Sequence, residues 1–201
     1  MEQKNLFVLS SETFIDFVSV TPKGTMNISG KCNKCGVLKF GKEGTIVPPI
    51  EIYTEQKGRI GDWTYNSSGF DVIVHEKVKE HLENRYSASD FFFVEKIKSL
   101  KKVEYSGNLF YFACKTIIPN EQIVNGLEKR DFCSECGRTR YFYKFDKLMV
   151  IIKKDFENRF FCLEPFGINR PIFCTKKLVD SLTIENFSNF SFKPAGTYVI
   201  E

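Results

Sequence analysis

Four cysteines in this chain are spaced for metal chemistry. They form the paired knuckles Cys32-Asn33-Lys34-Cys35-Gly36 and Cys133-Ser134-Glu135-Cys136-Gly137. A Cys-x-x-Cys turn aims two sulfurs at one point, and the glycine that follows relieves crowding where the backbone turns tightly. Zinc takes four ligands in a tetrahedron, with thiolates typical of structural sites, so one knuckle supplies half a shell. Cys162 and Cys174 could complete the second knuckle, but the equivalent places near the first hold Asp62 and Val74. A shared site solves both problems. The expected ligands of one structural Zn2+ ion are therefore Cys32, Cys35, Cys133 and Cys136. The gap of 97 residues between the knuckles far exceeds that of a compact zinc ribbon. A redox Cys-x-x-Cys opens a helix, whereas Gly36 and Gly137 lead into strand-like sequence. A zinc site of this kind implies about one ion per chain and a fold that collapses under a strong chelator.

The other reactive side chains form no comparable set. His75 and His81 are the only histidines, six residues apart. On a helix that spacing leaves their rings about 120° apart, so they cannot share a metal there. Cys114, Cys162 and Cys174 lie in apolar, strand-like sequence where a thiol is ordinarily inert. Asp62 and Asp71 stand near Trp63, which reads as a packing anchor. No phosphate loop, nucleophile elbow or Ser/His/Asp order stands out, so no catalytic residue is assigned and no enzyme is expected. Arg138, Arg140, Lys144 and Lys147 alternate with Tyr141, Phe142, Tyr143 and Phe145, a pattern open to nucleic-acid binding. On a strand, however, Tyr141, Tyr143 and Phe145 share one face and more simply make core. Lys96, Lys98, Lys101 and Lys102 read as a solvated linker.

The elements that must position the knuckles repeat. Asn5-Leu6-Phe7 recurs as Asn108-Leu109-Phe110, the knuckle recurs 101 residues on, and 72–82 recurs as 172–182. Lys77 matches Lys177, Glu80 matches Asp180, and Phe92 is paired with Phe192. A duplication follows, with halves at 1–100 and 101–201 that make one compact unit. Each half opens with a strand (Leu6 to Leu9; Leu109 to Ala113). A knuckle and an outgoing strand come next (Val37 to Phe40; Arg140 to Phe145), and a strand–helix–strand unit closes it. The first unit reads as a strand from Phe70 to Val74, a helix from Glu76 to Glu83 and a strand at Phe91–Val94. Val74, Val78 and Leu82 form its stripe. Cys174, Leu178 and Leu182 form the second, with Thr175 as N-cap and Phe190–Phe192 as the closing strand. Gly24, Gly41, Gly44, Pro48-Pro49, Gly58 and Gly61 mark a loop-rich stretch. The expected fold is α+β and β-rich, with two similar halves joined around a shared zinc site.

Composition agrees with a globular chain. Of 201 residues 42% are hydrophobic and 21 are phenylalanine, which suits half-buried pleated surfaces. A net charge of +4 is too small to imply a nucleic-acid partner. No signal peptide or membrane span is read, and seven cysteines is an odd number for a disulfide framework. The expected location is the cytoplasm.

The chain resembles the double-CxxCG immunity proteins of bacterial toxin–immunity systems. Both knuckles carry the resemblance, with Gly61-Asp62-Trp63-Thr64 leading to Phe70–Val78, and Pro171–Val179 followed by Phe190-Ser191-Phe192. The resemblance implies a non-enzymatic protein that binds and neutralises a cognate toxin, and it carries metal ligation to the four motif cysteines alone. It implies neither a membrane nor a nucleic-acid partner. The alternative reading is a zinc-ribbon-type nucleic-acid-binding protein.

Overall fold

The computed structural model of the protein describes residues 2–9, 17–26, 28–36, 38–40, 46–65, 72–86, 89–137, 139–164 and 171–201. The fold is α+β and β-rich, with two α-helices among these residues. Neither is long and apolar enough to cross a membrane.

Alternating apolar side chains build the strands, because successive residues face opposite sides of a sheet. In Leu109–Cys114, Leu109 and Tyr111 enter one apolar cluster while Phe110 and Phe112 enter another. This strand sits inside a six-stranded sheet of order Thr21–Met26, Ile46–Thr54, Ser89–Ser99, Leu109–Cys114, Val72–His75, Trp63–Tyr65. A five-stranded sheet has the order Ile123–Asn125, Met149–Ile152, Phe192–Ile200, Lys4–Leu9, Phe173–Thr175. An isolated bridge from Phe161 to Phe173 continues it in the place that Trp63–Tyr65 holds in the larger sheet.

Ile46–Thr54 contains Pro48-Pro49, a stretch that the sequence marks as loop. Its ladder to Thr21–Met26 pairs Lys23 with Glu51 and Thr25 with Val47, with a register shift between them. On the other side pairing begins at Ile50 with Val94. The prolines fall where neither ladder pairs, which is where a strand tolerates them. The strands after the helices run on to Ser99 and Ile200, well past the apolar runs that announce them. The outgoing knuckle strands are Leu38–Phe40 and Thr139–Tyr143, and Phe145 already belongs to a 3-10 turn. Phe70 and Asp71, and Gly41 and Gly44, lie outside the described residues.

Helix α1 spans Glu76–Arg85 and α2 spans Lys176–Ile184, each burying the expected pair, Val78 with Leu82 and Leu178 with Leu182. His75 caps α1: its Nδ1 accepts from the Lys77 N–H at 3.3 Å, which leaves Nε2–H to donate to the Ser106 carbonyl at 2.8 Å. Thr175 caps α2, its hydroxyl accepting from Leu178 N–H at 3.3 Å and donating to the Glu157 carbonyl at 2.6 Å. These caps meet backbone groups that a helix end leaves open.

The largest apolar cluster draws on both sheets and both helices. Its buried members fall into seven matched pairs: Leu9 and Phe112, Trp63 and Phe160, Tyr65 and Cys162, Val72 and Ile172, Val74 and Cys174, Val78 and Leu178, Leu82 and Leu182. Two smaller clusters cover the outer sheet faces, one around Leu6, Val150 and Phe173, the other around Leu109, Ile52 and Ile73.

Candidate metal centre

Each knuckle is the tip of a separate two-stranded hairpin. The first joins Ile28–Lys31 to Leu38–Phe40, with Lys31 opposite Leu38. The second joins Leu127–Phe132 to Thr139–Tyr143, with Phe132 opposite Thr139. The two turns match closely: Gly36 N–H reaches the Cys32 carbonyl at 2.9 Å, and Gly137 N–H reaches the Cys133 carbonyl at 2.9 Å. Both glycines have φ +69. A Cβ on Gly137 would meet nothing within 4 Å, and one on Gly36 only the end of Lys31 at 3.8 Å. Left-handed backbone geometry, rather than crowding, is therefore what these positions require.

The structure brings all four motif sulfurs together, within 4.8 Å of one another. Cys32 Sγ lies 3.8 Å from Cys133 Sγ, and Cys35 Sγ lies 3.8 Å from Cys136 Sγ. A tetrahedron with metal–sulfur bonds of about 2.3 Å has edges of about 3.8 Å, whereas a disulfide would need about 2.05 Å. The four side chains can thus hold a metal ion. Backbone N–H of Cys136, followed by that of Glu135, favours the Cys133 thiolate against the effect of burial, and brings its pKa to about 6. Thiolate is the ligand form. Cys32 and Cys133 are buried while Cys35 and Cys136 are half-buried. The Lys34 ammonium also donates across the gap to Ser134 Oγ at 2.7 Å, a link that the sequence does not announce.

The remaining candidates lie elsewhere. Cys162 and Cys174 are buried in the shared core, where burial pushes the Cys174 thiol well up. His81 packs edge-on against Phe187 with its Nδ1 3.5 Å from Glu185, and burial lowers its pKa despite that carboxylate. Trp63 is fully buried, ringed by Phe112, Phe160 and Phe190.

Around the second knuckle, Tyr141 packs toward the core as its strand face requires. Phe145 touches Phe173 yet stays 38% exposed. Phe142 is 43% exposed under the Arg130 guanidinium, and Phe132 is 59% exposed under Lys129. Arg138 and the side chains of Arg140 and Tyr143 lie outside the described residues.

Asp62 anchors a network that sequence reading missed, because its partners are distant in the chain. Its Oδ2 accepts from Ser188 N–H at 2.7 Å and Ser188 Oγ at 2.9 Å, and pairs with Lys77 Nζ at 2.9 Å. Burial alone would raise this carboxyl, but the bonds from Lys77 and Ser188 outweigh it and hold the pKa below its ordinary value. A carboxyl lowered on folding stabilises the fold in full above the ordinary carboxylate range, and that stability is lost as pH falls through and below it. Asp62→Asn should cost about 1–3 kcal/mol at neutral pH and flatten the acid limb of a melting-temperature profile. An unchanged acid limb would remove Asp62 from that role.

No family model matches the chain, and a search of curated proteins returns no match.

Proposed function

We propose that this chain is a non-enzymatic immunity protein that binds and neutralises a cognate bacterial toxin. In this reading two similar halves, each with a CxxCG knuckle and a strand–helix–strand unit, meet at one structural zinc ion. The observation that supports it is the convergence of two knuckles from distant sequence on four sulfurs within 4.8 Å of one another. An all-thiolate tetrahedral set suits zinc or iron. When bound, the ion supplies cross-linking and no chemistry of turnover, because four protein ligands leave no open position for a substrate. A reducing cytoplasm suits seven cysteines kept as thiols. The resemblance to double-CxxCG immunity proteins supplies the toxin as partner, and a rigid β-rich surface suits inhibition by steric blockage.

Elemental analysis of chelator-free protein should give about one zinc per chain, and one iron instead would change the ion without changing the geometry. Co-expression with the toxin encoded beside the gene should restore growth to cells that the toxin alone arrests. Absence of rescue would sink the immunity reading. The exposed Phe132 and Phe142, each under a cation, favour the nucleic-acid alternative. That alternative requires affinity for labelled single-stranded RNA or DNA that falls steeply with salt, and the immunity reading expects none.

A further inference from the structure

The two larger sheets have the same plan, and each is completed from the far part of the chain. In the six-stranded sheet Leu109–Cys114 runs antiparallel to both its neighbours, pairing Phe110 with Val74 on one side and Phe93 on the other. In the five-stranded sheet Lys4–Leu9 does the same, pairing Phe7 with Cys174 and Pro194. The parallel ladders agree as well, Glu51–Ser99 with Met149–Ile200: Ile52 faces Ile97 as Val150 faces Tyr198. The matching strands thus take equivalent places, including register and direction. The first strand of the chain lies among residues 173–200, and the strand after residue 108 lies among residues 72–99.

We infer that residues 1–101 and 102–201 are obligate partners, an internal dimer held by reciprocal exchange of an Asn-Leu-Phe strand. Neither part completes its larger sheet by itself, since the missing strand is interior in each case. The partner that each surface fits is the other half-chain: a groove between two strand edges that takes Leu6, Phe7 and Val8, or Leu109, Phe110 and Tyr111. The seven-pair core places one member of each pair on either part, except that the exchanged Leu9 and Phe112 each sit with the opposite sheet. The four sulfurs divide two and two in the same way. Unlike the metal, the exchanged strands bring backbone ladders and buried side chains across the division. The association therefore does not depend on the ion. Strand exchange holds whether or not the chain neutralises a toxin.

The test is a full-length chain with a site-specific protease sequence inserted between Lys101 and Lys102, in the exposed bend beside Leu100, which is 71% exposed. After cleavage of the folded protein, the fragments should co-elute at the size of the intact chain, with or without chelator, and keep its far-ultraviolet spectrum. Separated in denaturant, each alone should show no cooperative unfolding, and mixing should restore both the spectrum and co-elution. Separation of the nicked pair on chelation would overturn the inference, because the ion would then be the link. So would cooperative unfolding of either isolated fragment as a monomer.

Discussion

Stripping the proposed zinc ion with a strong chelator, or replacing Cys133 with serine, should abolish stoichiometric metal binding and loosen the knuckle hairpins while the two main sheets stay folded. The sequence alone suggests collapse, by analogy with zinc fingers, where metal binding of about 10–16 kcal/mol is the folding energy. A milder outcome is expected here because the seven-pair core lies outside the knuckle hairpins. The knuckles cap two hairpins whose strands, among the described residues, pair only with each other, and an isolated two-stranded hairpin is marginal in water. The seven-pair core and the interior strands lie in other elements. An ion at about a thousand times its dissociation constant stabilises a fold by about 4 kcal/mol. Its loss should lower the melting temperature by roughly 8–16 °C in a chain of this size. Hydrogen exchange should speed up at residues 28–40 and 127–143 and stay slow at 109–114. Loss of the far-ultraviolet spectrum at 25 °C on chelation would show that the ion carries the whole fold.

Trp63→Ala should cost about 3–5 kcal/mol, the range for removing a large buried aromatic. Trp63 is 0% exposed, with ring centroids at 5.4 Å to Phe190, 5.8 Å to Phe160 and 6.2 Å to Phe112. Its matched partner in the core is Phe160, so the two rings meet where the sheets share apolar surface. Trp63→Phe keeps a ring there and should lose much less. Denaturant titration gives both numbers, and an alanine variant within about 1 kcal/mol of the parent would contradict the packing described.

Much of this was legible from local pattern. Period-four stripes gave both helices, and Thr175 reads as a cap because a hydroxyl before a helix meets open N–H groups. The four cysteines were legible because ligand chemistry restricts residue type and spacing. The proline pair hid Ile46–Thr54, since the register shift that accommodates it leaves no local mark. Charged residues at Glu95, Lys96 and Lys98 hid the second half of Ser89–Ser99, where strand continuation depends on neighbouring ladders. Repeat spacing placed Phe92 with Phe192, but the ladders match Phe91, opposite Phe112, with Phe192, opposite Leu9. The exchange of Lys4–Leu9 and Leu109–Cys114 was invisible, because a strand's sequence states which faces it buries and not which sheet will bury them. The contact of Asp62 with Ser188 was hidden by the same distance along the chain.

The place of Lys4–Leu9 also sets a timetable at the ribosome. The six-stranded sheet is complete once residue 114 has emerged, whereas Lys4–Leu9 must wait for residues 173–200, its neighbours on both sides among the described residues. At roughly 5–20 residues per second that wait is on the order of 10–40 s. Once residue 114 has emerged, the apolar segment Leu6–Leu9 hangs unpaired beside a finished sheet whose interior slot is already filled by Leu109–Cys114. Nascent-chain protection therefore has to cover Leu6–Leu9 until Phe192–Ile200 is released, and slowed translation of residues 115–200 should raise aggregation more than slowed translation of residues 10–114.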